Sequence, residues 1–298
     1  MTVSRSTSAG EAYLDLKSRA KRQGRPTDEL LNLYALEGFL DRLSQTAYIE
    51  NLILKGGVLL AAFDTRRATR DIDLQADALS NEASVVRMVI CEIANVEVDD
   101  GLIFDTSGAS SEVIRDEDEY SGVRISIPCQ LATADVSFHV DVNVGDAIWP
   151  TPEMVEVPRL LGGAIRVRGY SIEMVLAEKI ITAVQRGTVS TRWRDYCDIY
   201  LLTKTHVLSE STLRRSIEKV AEGRRAVITP LSIVLTGYEA IAQSKWSAWV
   251  KKQGLTYRIP DDFEEVLSWA MRFADPILVA NDEGRLWDNS IGAWHFNS

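Results

Sequence analysis

At 298 residues and a formal net charge of −10, the chain is long enough for two domains, and its overall sign is wrong for coating nucleic acid through bulk electrostatics. A hydrophobic fraction of 46% beside 26% charged residues is that of an ordinary globular protein, and no apolar run reaches the roughly 18 residues of a membrane span. The opening MTVSRSTSAGEAYLDLKSR has no apolar signal core, and Cys91, Cys129 and Cys197 lie too far apart for a disulfide framework or a zinc site. A cytoplasmic protein with no membrane partner is the expectation.

Residues 1–10 are polar and read as loose. Helical spacing starts at Glu11 and breaks at Gly24-Arg25-Pro26. Thr27 then caps a second helix running through Leu30, Leu31, Tyr34, Leu36 and Leu40 to Leu43. NLILKGG reads as a buried strand ending in a turn, VLLAAF as the start of a helix, and RDIDLQ, alternating with period two, as a strand. Residues 80–95 have helical spacing, with Val85, Val86, Val89, Ile90 and Ile93 on one side. The acidic run EVIRDEDEY reads as a solvated hairpin connection. Strands are expected at 123–128, with Val123, Ile125 and Ile127 inward, at 136–144, and at Ile165-Arg166-Val167-Arg168. From Ser171 onward the spacing is helical throughout. The expected organisation is α+β: a tail and helix over 1–24, a mixed-sheet domain with helices over 25–170, and an all-helical domain over 171–298.

Residues two apart on a strand share a face, so Asp71 and Asp73 project together while Ile72 and Leu74 turn to the core. FHVDVNVGD repeats the arrangement, with Asp141 between His139 and Asn143 on its polar face. If the two strands are neighbours, Asp71, Asp73 and Asp141 converge, and a divalent cation that prefers oxygen ligands, Mg²⁺ or Mn²⁺, makes such a cluster tolerable. The plainer reading is three wet positions on half-buried strands. Gly56 and Gly57, fourteen residues before Asp-Ile-Asp, shift the balance: without side chains, their backbone N–H groups are open to a triphosphate. Together the pieces suit phosphoryl or nucleotidyl transfer.

In SIEMVLAEKIITAVQRG, with Ser171 as N-cap, Lys179 falls on the apolar stripe of Ile172, Val175, Leu176, Ile180, Ala183 and Val184. Either its stem snorkels to solvent or its ammonium is aimed at phosphates. Asp195 and Asp198 in RWRDYCDIYLL share a helix face. They form either a solvated face flanked by Arg192 and Arg194 or carboxylates that hold Lys179 or meet the substrate.

These segments together resemble the AbiEii/AbiGii-type toxin nucleotidyltransferases, which include the MenT toxins, over residues 25 to 280. LKGG followed by TRDIDL is similar to the family's first two motifs, and VDVNVGD to the strand bearing its third carboxylate. YSIEMVLAEKI is similar to the motif whose lysine falls on Lys179. RDYCDIYLL resembles the next, with its aspartate on Asp198 and Asp195 beside it, and DDFEEVLSWAMRFADPIL resembles the closing helix. The sequence departs at Val58, where AbiEii proteins often carry Ser or Thr, so a hydroxyl contact to the phosphates is missing.

The resemblance implies a polymerase-β-like nucleotidyltransferase domain over 25–170, a toxin using an NTP and Mg²⁺ or Mn²⁺, and a cognate antitoxin. The acceptor it implies is RNA, foremost the 3′ end of tRNA, whose modification blocks translation. It assigns Asp71, Asp73 and Asp141 to metal and catalysis, with Lys179 and Asp198 as further catalytic positions. Lys55, Gly56, Gly57, Arg70, Lys179 and Asp195 go to nucleotide binding. Arg66, Arg67 and Arg70 are the favoured guides for NTP or acceptor stem, ahead of SKWSAWVKK and of Arg214, Arg215, Arg224 and Arg225. Nucleotidylation of a protein or small molecule, and an inactive module binding a nucleotide or the antitoxin, are the competing readings.

Overall fold

Apolar residues at every second position build the central sheet of the first unit in this computed structural model, which describes residues 3–115, 121–145, 147–279 and 284–296. Two units separate at Tyr170: Met1–Asp146 with Pro152–Tyr170, and Ala147–Thr151 with Ser171–Ser298. The first opens with helix α1 (Ser8–Gln23), where the Thr7 hydroxyl accepts from the Gly10 N–H, so residues 8–10 are helical rather than loose. Helix α2 (Thr27–Ser44) follows. Its N-cap position falls on Pro26, not Thr27, and no side chain caps it; proline at the boundary fixes the backbone instead. Strand β1 (Leu52–Lys55) runs into a single helical turn, α3 (Gly56–Leu59), and then β2 (Asp71–Ala76) and α4 (Ala83–Ala94).

Six further strands complete the sheet: β3 (Leu102–Phe104), β4 (Ser110–Arg115), β5 (Ser121–Leu131), β6 (Ala134–Val144), β7 (Glu153–Pro158) and β8 (Ala164–Gly169). Their order among the described residues is β3-β5-β6-β2-β1-β8-β7, with β4 also on β5. The sheet is mixed: β2 runs parallel to β6 and β1 to β8, and the other pairs are antiparallel. The start of EVIRDEDEY is strand, not connection, because Val113 and Ile114 continue the ladder against Val123 and Gly122; residues 116–120 lie outside the described residues.

Register aligns the apolar rows. Ile72, Val140 and Ile125 stand level across three strands, as do Leu74, Val142 and Val123, and all are buried. Phe138 on the same face meets the rings of Phe39 and Phe104 at 6.0 and 5.7 Å, which seats α2 over the sheet. Each such side chain removed from water contributes about 1.5–3 kcal/mol. Polar ties fix the helix: Arg42 binds buried Asp100 at 2.6 and 3.1 Å, and Glu37 accepts the Leu160 N–H and meets Arg66 at 2.5 Å.

The second unit comprises α5 (Ile172–Arg186), α6 (Trp193–Thr205), α7 (Glu210–Gly223), α8 (Leu231–Val234), α9 (Tyr238–Gln253) and α10 (Phe263–Val279). It is mostly rather than wholly helical. The two-residue β9 (Leu208–Ser209) pairs with β10 (Arg285–Asp288), which pairs with β11 (Ala293–Phe296). This small sheet forms because an Asx-type turn at Asp288 and Gly292 with positive φ reverse the chain, and because Trp287 buries completely, its indole N–H on the Thr203 carbonyl at 2.7 Å. No helix among the described residues is long and apolar enough to cross a membrane.

Glu210, fully buried at the start of α7, accepts from the Arg285 backbone N–H and guanidinium at 2.8–3.0 Å. The Arg285 hydrogen bond outweighs burial and brings its carboxyl to about 2. A depressed folded value means stabilisation that is complete above the unfolded value near 4.5 and lost as pH falls towards 2. All 7 tryptophans lie in the second unit, so their fluorescence reports its unfolding. The midpoint should drop between pH 5 and pH 2, and Glu210→Gln should start lower and drop less.

Candidate active site

The turn after β1 is built by the absence of side chains. Gly56 sits at φ +67, and a Cβ there would lie 1.9 Å from the Asp73 carboxylate. Gly57 is less tightly placed: a Cβ would come within 2.8 Å of the Thr69 hydroxyl and 3.2 Å of the Arg67 guanidinium. Lys55, just before, is buried with its ammonium 5.6 Å from the Tyr170 ring centre. Val58, just after, is buried as an apolar residue.

Strand pairing lines up the charges. Lys55 is opposite Asp73, Asp73 is level with Asp141 on the parallel neighbour, and Asp141 is opposite Arg124 on β5. The row therefore reads cation, anion, anion, cation. Asp71, two residues before Asp73 on the same face, is level with His139, whose Nδ1 lies 2.8 Å from the Ser126 hydroxyl. Burial, then repulsion from Asp141, raises the Asp73 carboxyl to about 6; Lys55 opposes, Asp71 adds, and Arg67 opposes again. Arg124 donates from Nε and Nη2 to the two oxygens of Asp141 at 2.8 and 2.7 Å, a fork that raises the guanidinium further.

Among the described residues no three His, Cys, Asp or Glu side chains stand ready as a metal-holding group. In the row, Arg124 engages both oxygens of Asp141. Asp71 and Asp73 still present oxygen donors on one face, and the repulsion from Asp141 and Asp71 that adds to burial in raising Asp73 is what a divalent cation relieves. Mg²⁺ is characteristically held by one or two carboxylates plus substrate phosphates rather than by an all-protein cage. The pair fits Mg²⁺ or Mn²⁺ in that sense.

In the second unit, Lys179 on α5 is buried, and its ammonium donates to Asp195 at 3.0 Å and Asp198 at 2.7 Å. Arg192 adds a contact to Asp195 at 2.6 Å. Neither a snorkelling lysine nor a solvated aspartate face describes this: Asp195 is 6% and Asp198 1% exposed. Burial pushes the Asp195 carboxyl up, but Lys179 and Arg192 together bring it down to about 2.

Of the basic candidates, Arg66 is spent on Glu37 and the Pro158 carbonyl, and Arg67 donates to the Ala68 carbonyl, while Arg70 is exposed. Trp246 is core, stacked on Phe263 at 4.8 Å. Arg214 and Arg224 pair with Glu210 and Glu178, and Arg215 covers the Trp149 ring at 4.5 Å. Arg124 was not among the expected site residues. Its alternation with inward Val123 and Ile125 already placed it on the polar face.

The family model described as nucleotidyl transferase AbiEii toxin, type IV toxin–antitoxin system, matches residues 38–269. No curated protein matches the chain in sequence. A crystal structure of a candidate nucleotidyltransferase from H. pylori is similar at 14% identity and TM-score 0.47, covering 84% of this chain and 94% of that one. JHP933 from Helicobacter pylori is similar at 16% and 0.48, covering 83% and 91%.

Two substitutions probe this geometry. Gly56→Ala, forced into positive φ and onto Asp73, should cost about 1–3 kcal/mol in calorimetric unfolding of the first unit, with Gly57→Ala costing less. Lys179→Met removes the cation shared by two buried carboxylates, of which Asp195 keeps Arg192, and should cost about 3–5 kcal/mol in urea unfolding followed by tryptophan fluorescence.

Proposed function

The chain belongs to the AbiEii family of nucleotidyltransferase toxins of type IV toxin–antitoxin systems, and on that premise we propose that it transfers a nucleoside monophosphate from an NTP to an RNA acceptor, foremost the 3′ end of tRNA. As a toxin of such a system it has a nucleotide substrate and an antitoxin partner. The observation that carries the reading is the close approach of the side-chain-free turn to a carboxylate: Asp73 occupies the space that a Cβ at Gly56 would fill, which sets the turn's backbone beside a carboxylate proposed to hold the cation.

In this mechanism Asp71 and Asp73 hold Mg²⁺ or Mn²⁺. When bound, the cation supplies charge neutralisation at the phosphate oxygens. The backbone of Gly56 and Gly57 cradles the triphosphate, and Lys55 behind the turn offsets the charge of Asp73. Asp141, once the Arg124 fork releases one of its oxygens, accepts the proton of the attacking 3′-hydroxyl. The new bond is from that oxygen to the α-phosphorus, and the bond to pyrophosphate breaks. Asp195 and Asp198 fix the direction of the Lys179 ammonium, and the resemblance of YSIEMVLAEKI to the family's lysine motif supports its assignment to phosphate charge. Exposed Arg70 is the basic residue proposed to guide the polyanionic substrates.

Incubation with Mg²⁺, total tRNA and each α-³²P-labelled NTP in turn should put label on tRNA. Asp73→Asn should reduce the rate at least about 100-fold, the loss of several kcal/mol of charge stabilisation. Label on a protein or small molecule instead moves the acceptor, and no transfer from any NTP by folded protein contradicts the reading.

A further inference from the structure

The carboxylates of the row are not equivalent. Both oxygens of Asp141 lie in the fork of Arg124, at 2.8 and 2.7 Å. No comparable fork holds the Asp71 or Asp73 carboxylate among the described residues, the Thr69 hydroxyl reaching Asp71 at its backbone carbonyl, and neither residue is fully buried. Arg124 reaches its partner from the adjacent strand, directly opposite it, so the pairing is enforced by the sheet and not by a wandering surface side chain.

Resting on the nucleotidyltransferase reading, we propose that Arg124 is a positioning residue whose guanidinium holds Asp141 where a second metal ion would otherwise draw it, so that the nucleotide-free protein takes one divalent cation, on Asp71 and Asp73. The charges support this. Lys55 and Arg124 in the row, with Arg67 acting on Asp73, set three positive charges against those of Asp71, Asp73 and Asp141. One divalent cation takes that balance to two positive charges. A second would bring two more positive charges against a guanidinium already on the same carboxylate. Arginine offers no escape by deprotonation, since its pKa exceeds about 12. It can only be moved, and its side chain is 35% exposed, so a path to solvent exists. A polyanionic triphosphate is the ligand whose charge relieves the repulsion. Recruitment of Asp141 is therefore tied to nucleotide arrival.

Titration of the free protein with Mn²⁺ alone, followed by electron paramagnetic resonance, tests this. One Mn²⁺ per chain is expected for wild type and for Arg124→Lys, and two for Arg124→Gln. Two in wild type, none, or one in folded Arg124→Gln overturns the proposal. Should Arg124→Gln not fold, Asp141→Asn decides: unchanged affinity for the single Mn²⁺ supports it, and a loss of about tenfold or more, the signature of a coordinating or closely coupled group, overturns it. One Mn²⁺ without nucleotide transfer leaves this inference standing and sinks the functional reading; labelled tRNA with two Mn²⁺ in the free protein does the reverse.

Discussion

Register between β1, β2, β6 and β5 is the constraint on which the candidate site depends. Because the side-chain period of a strand is two, the same alignment that stacks Ile72, Val140 and Ile125 into the core stands Lys55, Asp73, Asp141 and Arg124 in line on the opposite face. A slip of one residue would bury the charges and expose the valines and isoleucines. The hydrophobic effect that closes the first unit thereby fixes the order of charges in the row. No separate force has to gather the carboxylates, and the tension left in the row is visible in Asp73, raised to about 6.

Close packing around a glycine adds the second element. Asp73 lies in the space a side chain at Gly56 would fill, so the turn and the carboxylate form one structural feature. The second unit solves a related problem differently. Lys179, Asp195, Asp198 and Arg192 bury as a mutually compensating set, which is costly to disrupt one member at a time. Both arrangements hold charges at defined positions before any ligand arrives, as electrostatic preorganisation demands.

Period-two alternation made Asp71, Asp73 and Asp141 legible as same-face residues, and the oddity of a lysine on an apolar stripe marked Lys179. What the sequence could not disclose was pairing. Arg124 is an unremarkable outward residue until β5 lies beside β6, and whether Asp195 is solvated or holds Lys179 stays open until α5 brings that lysine to it. The strands β3, β4 and β7 escaped because they are short and carry exposed apolar residues such as Ile103, Val113 and Met154, which blurs the alternation. The hairpin of β10 and β11 escaped for a related reason. Its defining residue, Trp287, is held by Thr203 and by the rings of Trp269 and Phe273, contacts made far along the chain. Val58 was read as a lost hydroxyl; it is buried, and the Thr69 hydroxyl is the one beside Gly57.

The central claim is that the Gly56 turn and the Asp71–Asp73 pair form one nucleotide–metal site. Anomalous diffraction from crystals grown with Mn²⁺ and an NTP that cannot be cleaved between its α- and β-phosphates is the most direct measurement. The account predicts a Mn²⁺ peak within coordination distance of Asp71 and Asp73, with the triphosphate against the Gly56-Gly57 backbone. A well-occupied nucleotide whose Mn²⁺ lies away from both carboxylates would contradict it.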